Sequence, residues 1–336
     1  MKMKGYSGYR GRRKKQKVLV TLVLVAVVLL CGGFLLLQDY FVYDDSGKIH
    51  LEIPFFGEKE DDAAPLDKDE VNLDILTPEE LPSSLQEVKE LHARLVGSLV
   101  LKRDPTKTME STPEEDIVIE VKRVNGGITY ASEAAIPPEV EVAGDDTMTN
   151  LKTILAGDKY VIARMSVFCD SYFVRAYREA AFCRDNGGYW YDADSRTWLD
   201  PTHPRTTAYI TALCQELTAL GFDELMLDHF AYPVTGNTAA IDGLAQTDRE
   251  AVLADIIAAL RANLPEGTVL GIVLRNDLSA EDGINADLIT EYFDRVYVTS
   301  DVDMAALQKE LGDGYGAERI VAMTGKAPES GSYMIG

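Results

Sequence analysis

Residues 221–233 read Gly-Phe-Asp-Glu-Leu-Met-Leu-Asp-His-Phe-Ala-Tyr-Pro. Gly221 stops a helical pattern over Arg205–Leu220, in which Ile210, Leu213, Leu217 and Leu220 share one face. The run Leu225–Leu227 that follows is continuous rather than alternating, which suits a strand covered on both faces. Asp228 ends that run and should emerge at the carboxyl edge of the sheet. A second helical pattern, Thr247–Leu264, opens on Thr247-Asp248-Arg249-Glu250, which reads as a capping box, and ends before Pro265 and Gly267. Helix, buried strand and helix in succession are the repeating unit of a parallel sheet.

The same alternation extends over Val71–Gly336. Apolar runs predict strands at Val71–Leu76, Leu95–Leu101, Lys159–Met165, Glu224–His229, Val269–Leu274, Arg295–Thr299 and Ile320–Met323, with Ser332–Ile335 as an eighth. Helical patterns fall at Pro78–Leu91, Met148–Leu155, Arg205–Leu220, Thr247–Leu264, Asp287–Phe293 and Met304–Leu311. This predicts an α/β fold, a (β/α)8 TIM-type barrel, somewhat truncated at its C-terminal end because little chain follows the last strand. A doubly wound open sheet is the competing fold, but no Gly-rich phosphate loop follows any strand. Ile117–Val124, with Asn125-Gly126-Gly127 as its turn and Ile128–Ala131 returning, reads as a hairpin inserted at the barrel mouth.

Upstream of this domain the composition changes abruptly. Residues 1–17 carry eight Lys and Arg and no acid, and Val18–Leu37 contains no charge over twenty residues. Such a run spans about 30 Å of hydrocarbon as a helix. Flanking cations stay on the cytoplasmic side, and no small-x-small cleavage site follows. The expected organisation is a basic cytoplasmic tail (1–17), a transmembrane anchor in the lipid bilayer (18–37), an acidic extracytoplasmic stalk (38–70) and the barrel (71–336). The net charge is −22, so the chain beyond the tail carries −30. That much negative charge excludes nucleic acid as a partner, while 46% hydrophobic residues exclude a disordered chain.

Cys169, Cys183 and Cys214 are too few for a disulfide scaffold and read as buried thiols, with one disulfide as the alternative. His50, His92, His203 and His229 are scattered, so no metal site and no cofactor is expected.

Lys159 to Pro233 resembles a bacterial family of membrane-anchored or secreted proteins described as glycoside hydrolases, whose barrel is similar to the α-amylase-type (β/α)8 barrel. The residues that carry the resemblance are Ile162-Ala163-Arg164, Phe168 and Asp170, Trp198-Leu199-Asp200-Pro201, and Gly221 to Asp228 closed by Pro233. Leu95–Asp104 and Ile128–Ser132 match more loosely. Ala231 stands where the family has an arginine. The segments Leu274-Arg275-Asn276-Asp277 and Val298-Thr299-Ser300-Asp301 also depart from the family's fifth- and sixth-strand elements.

The resemblance implies a glycan or cell-wall polysaccharide as partner and gives Asp228 the position of the nucleophile. Glycoside hydrolysis needs a second carboxyl across the scissile bond, and Asp277 and Asp301 end the right strands to supply it. Glu120 is the further carboxyl whose separation from Asp228 bears on the question. Arg164, one barrel step from Asp228, can hold it ionised. Trp190, Trp198, His229 and Tyr232 are candidates for stacking on sugar rings. Asp223 and Glu224 enter the strand from the opposite end, where structural roles are expected. Two functions fit these residues: a cell-surface glycosidase, and a carbohydrate-binding or envelope-scaffolding barrel without turnover. Protease added to intact cells is expected to release a fragment beginning within residues 38–70 and to leave residues 1–37 in the membrane; cleavage only after lysis would reverse this orientation.

Overall fold

In a computed structural model of the chain, residues 41–43, 49–51, 85–134, 136–144 and 146–336 are described. The basic tail, the apolar run 18–37, most of the stalk and the expected strand 71–76 lie outside them. The chain divides into two compact units, 1–70 and 71–336. In the first, Phe41–Tyr43 and Ile49–Leu51 pair as an antiparallel ribbon. Among the described residues no helix is long and apolar enough to cross a membrane.

The second unit is a closed barrel of eight parallel strands. They are β1 (His92–Val96), β2 (Asp116–Lys122), β3 (Tyr160–Ser166), β4 (Glu224–Asp228), β5 (Val269–Leu274), β6 (Arg295–Val298), β7 (Ile320–Thr324) and β8 (Tyr333–Ile335). A helix follows each of the first six: α1 (Pro105–Ser111), α2 (Asp146–Leu155), α3 (Pro204–Leu220), α4 (Arg249–Ala262), α5 (Ala286–Tyr292) and α6 (Met304–Leu311). The short strand β8 bonds to β7 on one side and to β1 on the other, which closes the sheet.

Side chains alternate across each strand. One set packs between strands and helices in the large outer core. The other fills the barrel with Ala93, Val118, Ile162, Met226, Val273, Tyr297, Val321 and Met334. Beneath that layer the closed end is polar but paired. Glu224 accepts from Tyr297 at 2.5 Å, Tyr160 at 3.1 Å and Arg295 Nε at 3.1 Å. Asp223, just before β4, accepts the Val161 N–H at 2.7 Å and so ties β3 to β4 at the same end.

The structure corrects several expectations. The arm 117–124 is not an insertion after the second strand but supplies that strand; the Asn-Gly-Gly turn does reverse the chain there, with Ile128 bridging Lys122 antiparallel and the Arg123 N–H bonded to the Gly127 carbonyl at 2.9 Å. The second strand expected over 95–101 is the end of β1 followed by a 3-10 turn, Ser98–Lys102. Residues 85–91, expected to be helical, are not. Their backbone groups bond instead to side chains at the closed end: Gln86 N to Asp294, Lys89 O to Arg295 and Leu91 N to Ser332. The cap of α4 is Asp248, whose carboxylate accepts the Ala251 N–H, rather than Thr247. Among the described residues no helix separates β7 from β8.

Gly271 is where the barrel interior tolerates no side chain. An added Cβ would lie 2.6 Å from the Tyr297 ring and 2.9 Å from Glu224 Oε1. Gly271→Ala is therefore expected to lower unfolding stability by about 1–3 kcal/mol, as overpacking does. Denaturant unfolding of the full-length protein checks it, and an unchanged midpoint would mean the Tyr297–Glu224 pair is not fixed.

Candidate functional site

The polar residues of the open end follow from strand alternation. Val118, Ile162 and Met226 face the barrel interior, so Glu120, Arg164 and Asp228, two positions further on, face the same way at the carboxyl edge. In register, Glu120 sits beside Arg164, and Asp228 beside Ser166. The β2–β3 register then shifts between Glu120 and Lys122, a local irregularity of the kind that re-aims a side chain at a barrel rim.

Asp228 is buried and held by two guanidiniums. Arg164 donates to Oδ2 from Nε at 3.1 Å and from Nη2 at 2.6 Å. Arg275, just past β5, donates to Oδ1 from Nε at 3.1 Å and from Nη2 at 2.9 Å, and to Oδ2 at 2.8 Å. The His229 N–H adds a bond to Oδ1 at 2.9 Å. Burial alone would raise the pKa of Asp228. The charges of His229, Arg164 and Arg275 override it and hold the carboxyl at about 2. Burial likewise pushes His229 down, against the pull of Asp228, to about 4. At neutral pH the imidazole is therefore uncharged, and the two arginines carry the pairing. His229 has φ 55°, a left-handed backbone uncommon for a residue with a side chain. That conformation lets its N–H turn onto the preceding carboxylate.

These residues line a cavity of about 210 Å³ together with Lys122, Ser166, Arg196 and Glu120. Lys122 is buried, 2.8 Å from Asp170, and donates to the Ser166 carbonyl at 2.7 Å. Gly126 permits this arrangement: at φ 96° its added Cβ would fall 1.9 Å from Asp170 Oδ1. Arg196 pairs with buried Asp192 at 2.8 Å. Glu120 is half-buried, and its carboxylate makes no hydrogen bond or ion pair to any described residue. Ser166, His229 and Asp228 do not form a nucleophilic triad: both the hydroxyl, at 3.4 Å, and the carboxylate, at 3.2 Å, approach the same Nδ1. Among the described residues no group of three or more His, Cys, Asp or Glu could hold a metal ion.

Of the residues singled out from sequence, Glu120, Arg164, Asp228 and His229 meet in this cavity. Asp277 and Asp301 do not line it; both are exposed, and Asp277 accepts the Asp303 N–H at the start of α6. Trp190, Trp198 and Tyr232 are buried rather than presented as a platform. Trp190 donates to the Asn237 carbonyl at 2.8 Å and Trp198 to Asp192 at 3.0 Å, bonds that fix both rings inside loops. Trp198 does back the site, edge-on to the His229 ring at 5.7 Å. The three cysteines of the barrel are free. Lys122, Arg196 and Arg275 were missed. The signal for Lys122, as for Glu120, was a charged residue ending a buried apolar run at the carboxyl edge of β2.

Because folding keeps His229 neutral, its contribution to stability is present above the unfolded pKa of about 6.5 and is lost as pH falls toward about 4. Asp228 adds a separate loss lower down, between about 3.9 and about 2. His229→Asn keeps a residue that tolerates the left-handed backbone. Across pH 6.5 to 4, the parent is expected to lose on the order of 3 kcal/mol relative to this variant. Chemical unfolding at each pH checks it; a constant difference would mean the folded imidazole is charged.

No curated protein matches the sequence. Among solved structures, the chain is similar to a hypothetical protein from Ruminiclostridium thermocellum, at 24% identity over 53% of this chain and 95% of that one, with a TM-score of 0.44. It is also similar to the PgaB (BpsB) glycoside hydrolase domain from Bordetella bronchiseptica, at 14% identity over 70% and 84% of the two chains and a TM-score of 0.45. The glycoside hydrolase domain of PelA from Pseudomonas aeruginosa is similar at 14% identity over 70% and 83%, with a TM-score of 0.40. More than half of the sequence, residues 96–277 from the end of β1 to just past β5, matches a single domain family, and the chain belongs to that family, described as "Putative glycosyl hydrolase domain".

Proposed function

We propose that this protein is a cell-surface glycoside hydrolase acting on a polysaccharide or cell-wall glycan, with Asp228 and Glu120 as its two carboxyl groups. The observation that carries this reading is the unlike setting of those two groups in one mouth cavity. Asp228 is held ionised by two guanidiniums, and Glu120 has no partner among the described residues. Glycosidases need one carboxylate that stays charged against an oxocarbenium-like transition state and one carboxyl free to exchange a proton with the glycosidic oxygen. Asp228 fits the first task and Glu120 the second. Membership of the glycosyl hydrolase domain family supports the reaction class. The cavity suits one sugar unit rather than a long stretch of chain. Eight cations ahead of an uncharged run of twenty residues support anchoring in the bilayer through residues 18–37, with the acidic stalk and barrel outside the cell.

One observation favours a binding barrel without turnover: both oxygens of Asp228 are already covered by donors. A nucleophile needs an exposed lone pair, so attack by Asp228 requires one arginine to move away. Asp228→Asn is a poor test of either reading, because an amide cannot accept from both arginines and would leave buried charge unpaired, at about 3–5 kcal/mol. Glu120→Gln disturbs no pair. In a glycosidase it is expected to lower kcat by about 10²–10⁴-fold with the melting temperature unchanged, read by reducing-end release from a glycan panel. Hydrolysis by the parent that survives this substitution would remove Glu120 from the reaction. Glycan binding by the parent with no hydrolysis would establish the binding barrel.

A further inference from the structure

We propose that the glycan unit taken by this cavity carries a negative charge, a carboxylate or a phosphate ester, and that Arg275 is the residue that receives it; the proposal rests on the glycan-directed reading above. Four cations line the cavity. Lys122 is matched by buried Asp170, and Arg196 by buried Asp192 and exposed Asp194. Arg164 and Arg275 instead share the single carboxylate of Asp228, so between them they have one ion-pair partner among the described residues.

The two arginines are not equivalent. The Arg164 side chain is 17% exposed and rooted within β3, whereas that of Arg275 is 42% exposed and lies in the connection after β5. Arg275 is the one free to turn toward a ligand. Its Nη1 donates to no described residue, and a guanidinium fork matches a carboxylate or phosphate in two parallel bonds. Glu120 does not oppose this. It stands on β2, three strands from β5 around an eight-stranded barrel, so it lies across the mouth and can accept from sugar hydroxyls there.

The exchange also answers the objection raised by the covered carboxylate. An anionic group that draws Arg275 away removes both of its bonds to Oδ1 and leaves that oxygen with the His229 N–H as its remaining donor, while Arg164 keeps Oδ2 paired, so the charged substituent of the substrate would itself free a lone pair on the reactive oxygen. A neutral sugar has no means of doing this.

The test is calorimetric titration of the full-length protein in detergent micelles with glucuronate, glucose 6-phosphate, glucose and glucosamine. At least one anionic sugar is expected to bind about tenfold or more tighter than glucose. Which of the two binds tighter tells a carboxylate from a phosphate ester. That preference should shrink with added salt, as an exposed ionic contact does. Arg275→Gln should erase it in protein that still folds, with a lowered melting temperature because buried Asp228 loses one of its two guanidiniums, and Arg275→Lys should restore part of both. Equal binding of glucose and both anions, or tightest binding of glucosamine, would overturn the proposal while leaving a glycan-directed barrel intact. An anion preference that survives Arg275→Gln would place the anion elsewhere on the protein and would also overturn it. A folded protein that binds none of the four sugars, and that hydrolyses nothing in the glycan panel, would remove the glycan reading as well.

Discussion

Eight parallel strands closed in register impose a period of two on everything inside the barrel. Each strand sends alternate residues inward, so the chemistry at either end is set by which residue types occupy those positions. On β4 the inward positions are Glu224, Met226 and Asp228. One inward apolar residue therefore separates two buried carboxyls, one at the closed end of the barrel and one at the open end. The paired floor and the cationic mouth are two readouts of the same alternation.

The two carboxyls show how the partner count decides charge in a buried site. Burial pushes Glu224 up to about 7, because one arginine and two tyrosine hydroxyls compensate only part of the lost hydration. Burial pushes Asp228 the same way, yet the charges of His229 and of the two guanidiniums bring it to about 2. The Coulomb gain of a second close cation in a water-poor site outweighs the remaining desolvation cost. Glu224 binds the floor together with its carboxyl pushed up toward neutrality, and Asp228 keeps a full charge at the mouth. That division suits a structural end and a reactive end.

Six of the eight strands, the third through the eighth, were legible because their apolar runs are continuous and bounded by Gly, Pro or capping residues. β2 was obscured by its own surroundings. Its run is interrupted by Glu120, and the Asn-Gly-Gly turn beside it is a strong local hairpin signal. That turn forms, with Ile128 bridging Lys122, but β2 itself pairs in parallel with β1 and β3, which a local hairpin signal does not report. In the site, Asp228 and Arg164 were legible because both end apolar strands on adjacent positions of the sheet. Arg275 was not, since a residue past a strand end is placed by its loop, and nothing in Leu274-Arg275-Asn276-Asp277 says which side chain turns inward. The aromatics misled for a related reason. A Gly-Gly-Tyr-Trp-Tyr loop suggests exposure, but indole N–H groups that find loop acceptors draw both tryptophans inside.

What distinguishes this mouth is that its charges come from unlike sources. Arg164 and Asp228 belong to the strands and are fixed by the register; Arg196 and Arg275 belong to connections and are placed by loop packing. Connections carry variation that strands cannot, because a shift of one residue in a barrel strand turns every inward group outward. The Arg164–Asp228 pair is therefore the invariant part of the geometry, and the loop arginines are the adjustable part laid over it. The specificity of the cavity should accordingly reside in the loops, while the capacity to hold a charged oxygen at the barrel axis resides in β3 and β4. A loop cation set against a strand carboxylate changes the site from one that presents an acid to one that masks it until a competing anion arrives.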